Sequence, residues 1–334
     1  MSINKEEVRK ALSNVIDPEL REDLVTLNMI KDIEIKDSNK VIVTVELTTP
    51  ACPLKNTIAN DCRNEVSKVP GVEDVEIKFT AREKKTEKEI KLDKVKNIIA
   101  VSSGKGGVGK STVAALLALS FAKKGYKVGL MDADAYGPNI PTLLDNFDRP
   151  FANEKNKIIP VELRNIKFVS LGLLVDAEKP IIWRGPMLHG LVSQFLKDVE
   201  WGELDILFVD LPPGTGDVQL SLAQLIDLTG GIMVTTPQKL SIADTQKGIA
   251  MFRQLQIDVL GIIENMSYFE APDTGKKYDV FSSEGGKKLA EKLNIPLLGQ
   301  LPLNMDISDP SKDSGIKYFE PIIEGIEGLN KLKK

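Results

Sequence analysis

The chain has 334 residues, enough for about two domains of ~100–200 residues each, and its 42% hydrophobic and 28% charged content is that of an ordinary soluble globular protein. A net charge of −4 removes the electrostatic reason for non-specific nucleic-acid binding, so no nucleic-acid partner is expected. Two cysteines make no disulfide framework, the opening MSINKEEVRK carries no apolar h-region, and no apolar run approaches the ~18 residues of a membrane span. The setting read from these features is reducing and cytoplasmic.

Residues 1–80 read as a small α+β domain. Asn4 followed by Glu7 fits a capping box opening a short helix, which DPEL at 17–20 breaks. VIVTVEL at 41–47 alternates and predicts a strand. A helix is expected over 53–69, closed by Pro70-Gly71, and a second strand over 72–79. Residues 81–96 are strongly charged and read as a linker or solvated helix. The third segment, 97–334, changes texture. Seven nearly continuous apolar runs recur (IIAVSS, KVGLMD, IKFVSLG, DILFVDL, GIMVTT, VLGIIE and PLLGQLP), mostly separated by segments of helical period. Continuous rather than alternating strands, spaced by helices, predict an α/β domain with a mostly parallel sheet covered on both faces.

The first of these runs leads into GKGGVGKST and then an apolar helix. Strand, glycine loop, helix is the context that the phosphate-binding motif GxxxxGK[ST] requires. The loop is Gly104, Lys105, Gly106, Gly107, Val108, Gly109, Lys110, Ser111 and Thr112. Glycines let backbone N–H groups turn inward around phosphate oxygens, and the helix start adds its positive dipole end. Lys110 is expected at the β- and γ-phosphates of ATP and Ser111 at Mg²⁺. Asp132 ends the next strand, with Asp134 two residues on, where a carboxylate faces the ligand crevice of an α/β sheet. Asp210 ends the strand DILFVD ahead of LPPGTGD, a Walker B pattern that predicts Mg²⁺ held through water. In that loop Gly214 is expected to offer its N–H to the γ-phosphate, and Asp217 reads equally as a further carboxylate or as a helix N-cap. Asn265 follows another strand, and its amide has the donor and acceptor that an adenine edge matches.

Lys105, directly after the first glycine, is extra to the plain motif, and with it the chain resembles the deviant Walker A ATPases that include MinD, ParA and the nitrogenase iron protein. The resemblance implies that Lys105 reaches the nucleotide of the opposite subunit in a homodimer. It further implies that Asp132 supports Mg²⁺, that Asp134 positions the attacking water, and that Asn265 reads the base. DADAYGPNIP, WRGPM, DLPPGTGDVQL, TTPQKLSIAD and NMSYF narrow the resemblance to the Mrp/ApbC group of iron–sulfur cluster carrier ATPases, over about 94–303. DPEL and LTTPACP make the first domain similar to the PaaD/SufT-type domain. The implied function is an ATP-hydrolysing carrier passing clusters to apo-proteins, with apo iron–sulfur or cluster-assembly proteins as partners. The alternative is a metal-free, nucleotide-dependent switch that binds protein partners.

The chain departs from that group in one place. Where its members have Cys-x-x-Cys after NMSxF, Ala271 and Thr274 stand here, and neither replaces the soft thiolate that iron–sulfur clusters need. Cys52, before Pro53 at a predicted helix start, is the candidate ligand or reactive thiol. Cys62, ten residues on, falls on a poorly matched face and reads as a buried small hydrophobe. The lone His189 reads as structural. The apolar positions from Ile316 to Leu332 read as a helix docked on the core rather than a membrane-surface helix, since Glu320, Glu324 and Glu327 oppose anionic lipid.

Overall fold

The computed structural model of the chain describes residues 3–16, 22–27, 29–36, 39–47, 55–81, 90–134, 137–174, 185–282 and 284–333. Residues 17–20, Cys52 and Trp183, each used above, lie outside them. The chain divides into two compact units, 1–86 and 87–334.

The first unit is α1 (Lys5–Leu12), β1 (Ile30–Lys36), β2 (Lys40–Leu47), α2 (Lys55–Val66) and β3 (Asp74–Ala81). Asn4 caps α1 by accepting from the Glu6 N–H at 3.0 Å. The sheet order is β1-β2-β3, antiparallel then parallel. β1 escaped the sequence reading because its alternation is broken by a register shift between Ile30 and Asp32. Cys62 is fully buried on α2 in the core of this unit, and burial pushes its thiol up to about 12. It packs there as a small hydrophobe.

The second unit runs β4 (Val95–Ser103), α3 (Lys110–Lys123), β5 (Val128–Asp132), α4 (Ile140–Leu143), a hairpin of β6 (Phe151–Ala152) and β7 (Ile158–Ile159), then β8 (Val161–Leu163), β9 (Ile166–Ser170), α5 (Leu171–Leu174) and α6 (Gly185–Asp198). It continues with β10 (Leu204–Asp210), α7 (Asp217–Leu225), β11 (Gly230–Thr235), α8 (Lys239–Gln254), β12 (Val259–Glu270), β13 (Lys277–Tyr278), α9 (Gly285–Leu293), β14 (Leu297–Leu303), α10 (Met305–Ser308), a 3₁₀ turn (Asp313–Tyr318) and α11 (Glu320–Gly328). All seven apolar runs are strands, and they pair in parallel. The main path is β13-β12-β11-β4-β10-β5-β9-β8, with β14 on the other side of β12. The antiparallel edges β8 and β13, of three and two residues, were too short for a periodicity to register.

β4 shows why such runs are continuous. Ile99 and Val101 enter one core cluster, with α3 and α11, while Ile98 and Ala100 enter the other, with α6 and α7. Alternate side chains face opposite sides, so a strand covered on both faces must be apolar throughout. α3 is buried from Val113 to Ala122, enclosed by the sheet and the C-terminal segment, and packing rather than capping holds it. Ile316, Phe319, Ile322, Ile323 and Ile326 are buried against this core, so the C-terminal helix docks as expected. The charged segment 81–96 needs correction: Ile90 is buried and its N–H donates to the Leu225 carbonyl at 3.0 Å, and β4 has begun by Val95. Its second half is part of the second unit, because Ile90 and Leu92 pack on that core beneath the lysines. No helix among the described residues is long and apolar enough to cross a membrane.

Candidate functional site

The centre of the sheet is where β4 ends, flanked by β10 and β11. Strands of an open α/β sheet deliver ligands to their carboxyl ends, and the loop 104–109 leaves β4 there. Gly107 and Gly109 are left-handed, φ +79° and +81°, a region glycine enters without strain. Gly104 is required for a different reason: a Cβ there would strike the backbone of Asp244 and Thr245 on α8. Gly109 precedes α3 and has no side chain to cap it, so the first N–H groups of α3 stay available to an anion.

A cleft of about 470 Å³ opens over this loop. Of the residues expected at the site, Lys105, Gly106, Gly107, Gly109, Lys110, Ser111, Thr112 and Asp134 line it. Val108 is buried beneath, and its carbonyl takes part in the loop's support. Asn139 and Pro213, inside the quoted stretches DADAYGPNIP and DLPPGTGDVQL but given no role there, also line the cleft, as do Thr142 and Leu143, which no motif marks.

The electrostatic centre is Lys110. Its Nζ lies 2.7 Å from Asp210 Oδ1, 3.6 Å from Asp134 Oδ2 and 3.2 Å from Ser111 Oγ, and all but 6% of the residue is buried. Asp210 is wholly buried. Burial pushes its carboxyl up and the Lys110 ammonium pulls it back. Its second oxygen, Oδ2, has no hydrogen-bond partner among the described residues. A buried carboxylate oxygen without a donor is rare, and beside the Ser111 hydroxyl it fits a hydrated Mg²⁺. No group of three or more His, Cys, Asp or Glu residues among those described could cage a metal, in keeping with an ion held largely by substrate phosphates.

Asp132, like Asp210, lies behind the residues that line the cleft. Its oxygens accept from the N–H groups of Asp134 (3.2 Å) and Ile140 (3.3 Å) and from the Ser170 hydroxyl (2.8 Å). It therefore anchors the loop that presents Asp134. Burial, helped by the negative charge of Asp210, pushes it up to about 7. Gly214 lies against the end of β4. Its N–H, foreseen at the γ-phosphate, donates to the Ser103 carbonyl at 2.8 Å. The loop around it is fixed by Gln219, whose amide donates to the Pro212 and Gly214 carbonyls and accepts from the Gly216 N–H. Gly216 is thus the cap of α7, and Asp217 is its first helical residue rather than an N-cap. Asn265 is 98% buried: its Nδ2 donates to the Val108 carbonyl at 2.9 Å, its Oδ1 has no partner among the described residues, and it is absent from the cleft lining. His189 lies on α6, away from that lining.

Ala271 and Thr274 occupy the turn between β12 and β13. The Ala271 N–H donates to the Lys276 carbonyl, and the Gly275 N–H donates to the Ala271 carbonyl. The exposed Thr274 hydroxyl lies 3.4 Å from Asp273, and the turn contains no thiol.

A glycine loop between a central parallel strand and an uncapped helix, with a buried lysine and strand-end carboxylates around it, defines a P-loop nucleotide-binding protein. Residues 94–324 match the family described as NUBPL iron-transfer P-loop NTPase, and residues 5–79 match the family of iron–sulfur cluster assembly proteins. The chain belongs to this iron-transfer P-loop NTPase family. It is 49% identical over 317 residues to the "Iron-sulfur cluster carrier protein" of Synechocystis sp., across 92% of this chain and 89% of that one. Among solved structures it is similar to a nucleotide-binding protein of Archaeoglobus fulgidus in complex with ADP, at 40% identity and TM-score 0.59, over 69% of this chain and 91% of that one. A cell-division ATPase MinD of Pyrococcus furiosus shares the fold at 20% identity and TM-score 0.51, over 70% of this chain and 99% of that one.

Proposed function

We propose that the chain is an ATPase that carries iron–sulfur clusters to apo-proteins, working as a homodimer whose pairing depends on nucleotide. The observation that carries this reading is the likeness to iron–sulfur carriers along nearly the whole chain, 49% identity over 92% of it.

Lys110 is paired with Asp210 and Asp134. Phosphates entering the cleft compete for that ammonium, and the N–H groups of the loop and of the start of α3 receive their oxygens. Ser111 and Asp210 would hold Mg²⁺, which supplies neutralisation of the β- and γ-phosphate charge when bound. Asp134, on the cleft wall, orients the attacking water, and Asp132 fixes the loop that carries it. Lys105 lines the cleft close to Gly106 and Gly107, the most exposed part of the loop, and serves the nucleotide of the second subunit. Gly214, once released from the Ser103 carbonyl, is the N–H that senses the γ-phosphate. Hydrolysis in this scheme is slow and coupled to transfer.

The cluster is cargo. Ala271 and Thr274 offer it no ligand, and Cys62 is sealed in a core with its thiol held protonated. Cys52 is the remaining thiol, and we assign it the contact with the cargo. Anaerobic reconstitution with ferrous iron and sulfide tests this. The expected product is brown with bound iron, and Cys52→Ala abolishes the colour. A colourless wild-type protein refutes cluster carriage and leaves the ATPase as a metal-free switch. A monomer in light scattering at saturating ATP refutes the dimer.

A further inference from the structure

We propose that Asn265 is a positioning residue that clamps the phosphate loop from beneath, and that the irregularity in β12 exists to aim it there. This rests on the phosphate-binding role of the loop proposed above. Three features of β12 point the same way.

The first is a bulge. Against β14, Glu264 pairs with Gln300 and Tyr268 with Pro302, so four steps along β12 match two along its partner. Asn265, Met266 and Ser267 thus stand against Leu301 alone. Within them Met266 is left-handed, φ +54°, a conformation that a side chain with a Cβ adopts only where its surroundings impose it. This bulge brings Asn265 and Met266 up against Gly109: a Cβ on Gly109 would collide with Asn265 Nδ2 and would lie 3.9 Å from the Met266 Cε.

The second is the amide itself. Asn265 Nδ2 donates to the Val108 carbonyl at 2.9 Å. The flipped amide would set oxygen against oxygen, so the Val108 carbonyl fixes its orientation. Because a peptide unit is planar and trans, holding the Val108 carbonyl on Asn265 turns the Gly109 N–H the opposite way. Gly109 lines the cleft, immediately before Lys110. One amide hydrogen is thus committed to the loop, which leaves the second hydrogen and Oδ1 on the same amide.

The third is the footing. Glu264, fully buried, accepts from the Gly286 N–H at the start of α9, from Ser267 Oγ, and from Gln300 Nε2 at 2.7 Å. The residue that precedes the clamp is tied to α9 and β14, so the clamp is braced against two elements outside the loop it holds.

The test is competition binding of ADP and of inorganic tripolyphosphate to the full chain. A clamp acts on the phosphate loop, so Asn265→Ala weakens tripolyphosphate binding about tenfold, equivalent to about 1.4 kcal/mol, and ADP binding by at least that factor. An Asn265→Leu variant, which keeps the volume and lacks the donor, gives the same loss of tripolyphosphate affinity and covers the case in which the alanine variant fails to fold. A loss for ADP with unchanged tripolyphosphate affinity makes Asn265 a base reader and overturns the proposal, as does unchanged affinity for both. A wild-type chain that binds neither probe overturns the phosphate-loop reading and the inference with it.

Discussion

Replacing Lys110 by alanine has two consequences that the structure separates. The first is loss of nucleotide binding. The second concerns the empty protein, because Lys110 is the cation at the centre of Asp210 and Asp134, at 2.7 and 3.6 Å. Removing one partner of a buried ion pair leaves an uncompensated charge and costs ~3–5 kcal/mol. In a unit of this size ~1 kcal/mol shifts the melting temperature by ~2–4 °C, so a fall of roughly 10 °C is expected at pH 8. The cost is capped by protonation, and that supplies the internal control. Asp132 and Asp210 both have carboxyls pushed up by burial, Asp132 to about 7. A carboxyl raised in the folded state binds its proton more tightly folded than unfolded, so its contribution to stability falls as pH rises from about 4 through about 7. The nucleotide-free wild type therefore loses stability across that window. Lys110→Ala, with more unpaired carboxylate to neutralise, loses more, and its deficit shrinks at pH 5.5. The assay is thermal unfolding of both proteins without nucleotide at pH 5.5 and pH 8, with calorimetric titration of ADP. A deficit of equal size at both pH values, or retained ADP affinity, refutes the reasoning.

Two further outcomes follow from burial and packing. Gly104→Ala forces a methyl into the backbone of α8, where no side chain can move aside; a loss of ~1–3 kcal/mol in unfolding free energy and at least tenfold weaker nucleotide binding are expected, and a wild-type melting curve contradicts the contact. Cys62, fully buried with its thiol pushed up to about 12, stays unlabelled by iodoacetamide at pH 8 in the native chain and reacts once the protein is unfolded; labelling of the native protein at Cys62, read by peptide mass, contradicts its burial.

The loop was legible because its chemistry is local. Gly104, Gly109, Lys110 and Ser111 are fixed by a spacing that only a strand–loop–helix satisfies, and seven apolar runs announced a sheet covered on both faces. Other features depend on what a side chain meets from elsewhere in the chain. Asp132 ends a strand just as Asp210 does, yet it meets the Ser170 hydroxyl, 38 positions away, where Asp210 meets the Lys110 ammonium. Nothing local distinguishes the two aspartates. β1 and β8 were missed because a bulge and a length of three residues erase the period that sequence reading relies on.

The sequence alone determined the phosphate loop, its lysine and serine, the strand-end carboxylates, and the absence of thiols at Ala271 and Thr274, because each depends on residue identity and short spacing. The tertiary structure decided what those groups do with their hydrogen bonds. It gave the Gly214 N–H to Ser103, one Asn265 amide hydrogen to Val108 and the Lys110 ammonium to Asp210, each across a gap of 100 residues or more. A buried donor must find an acceptor, and only the folded chain fixes which acceptor lies within 3 Å.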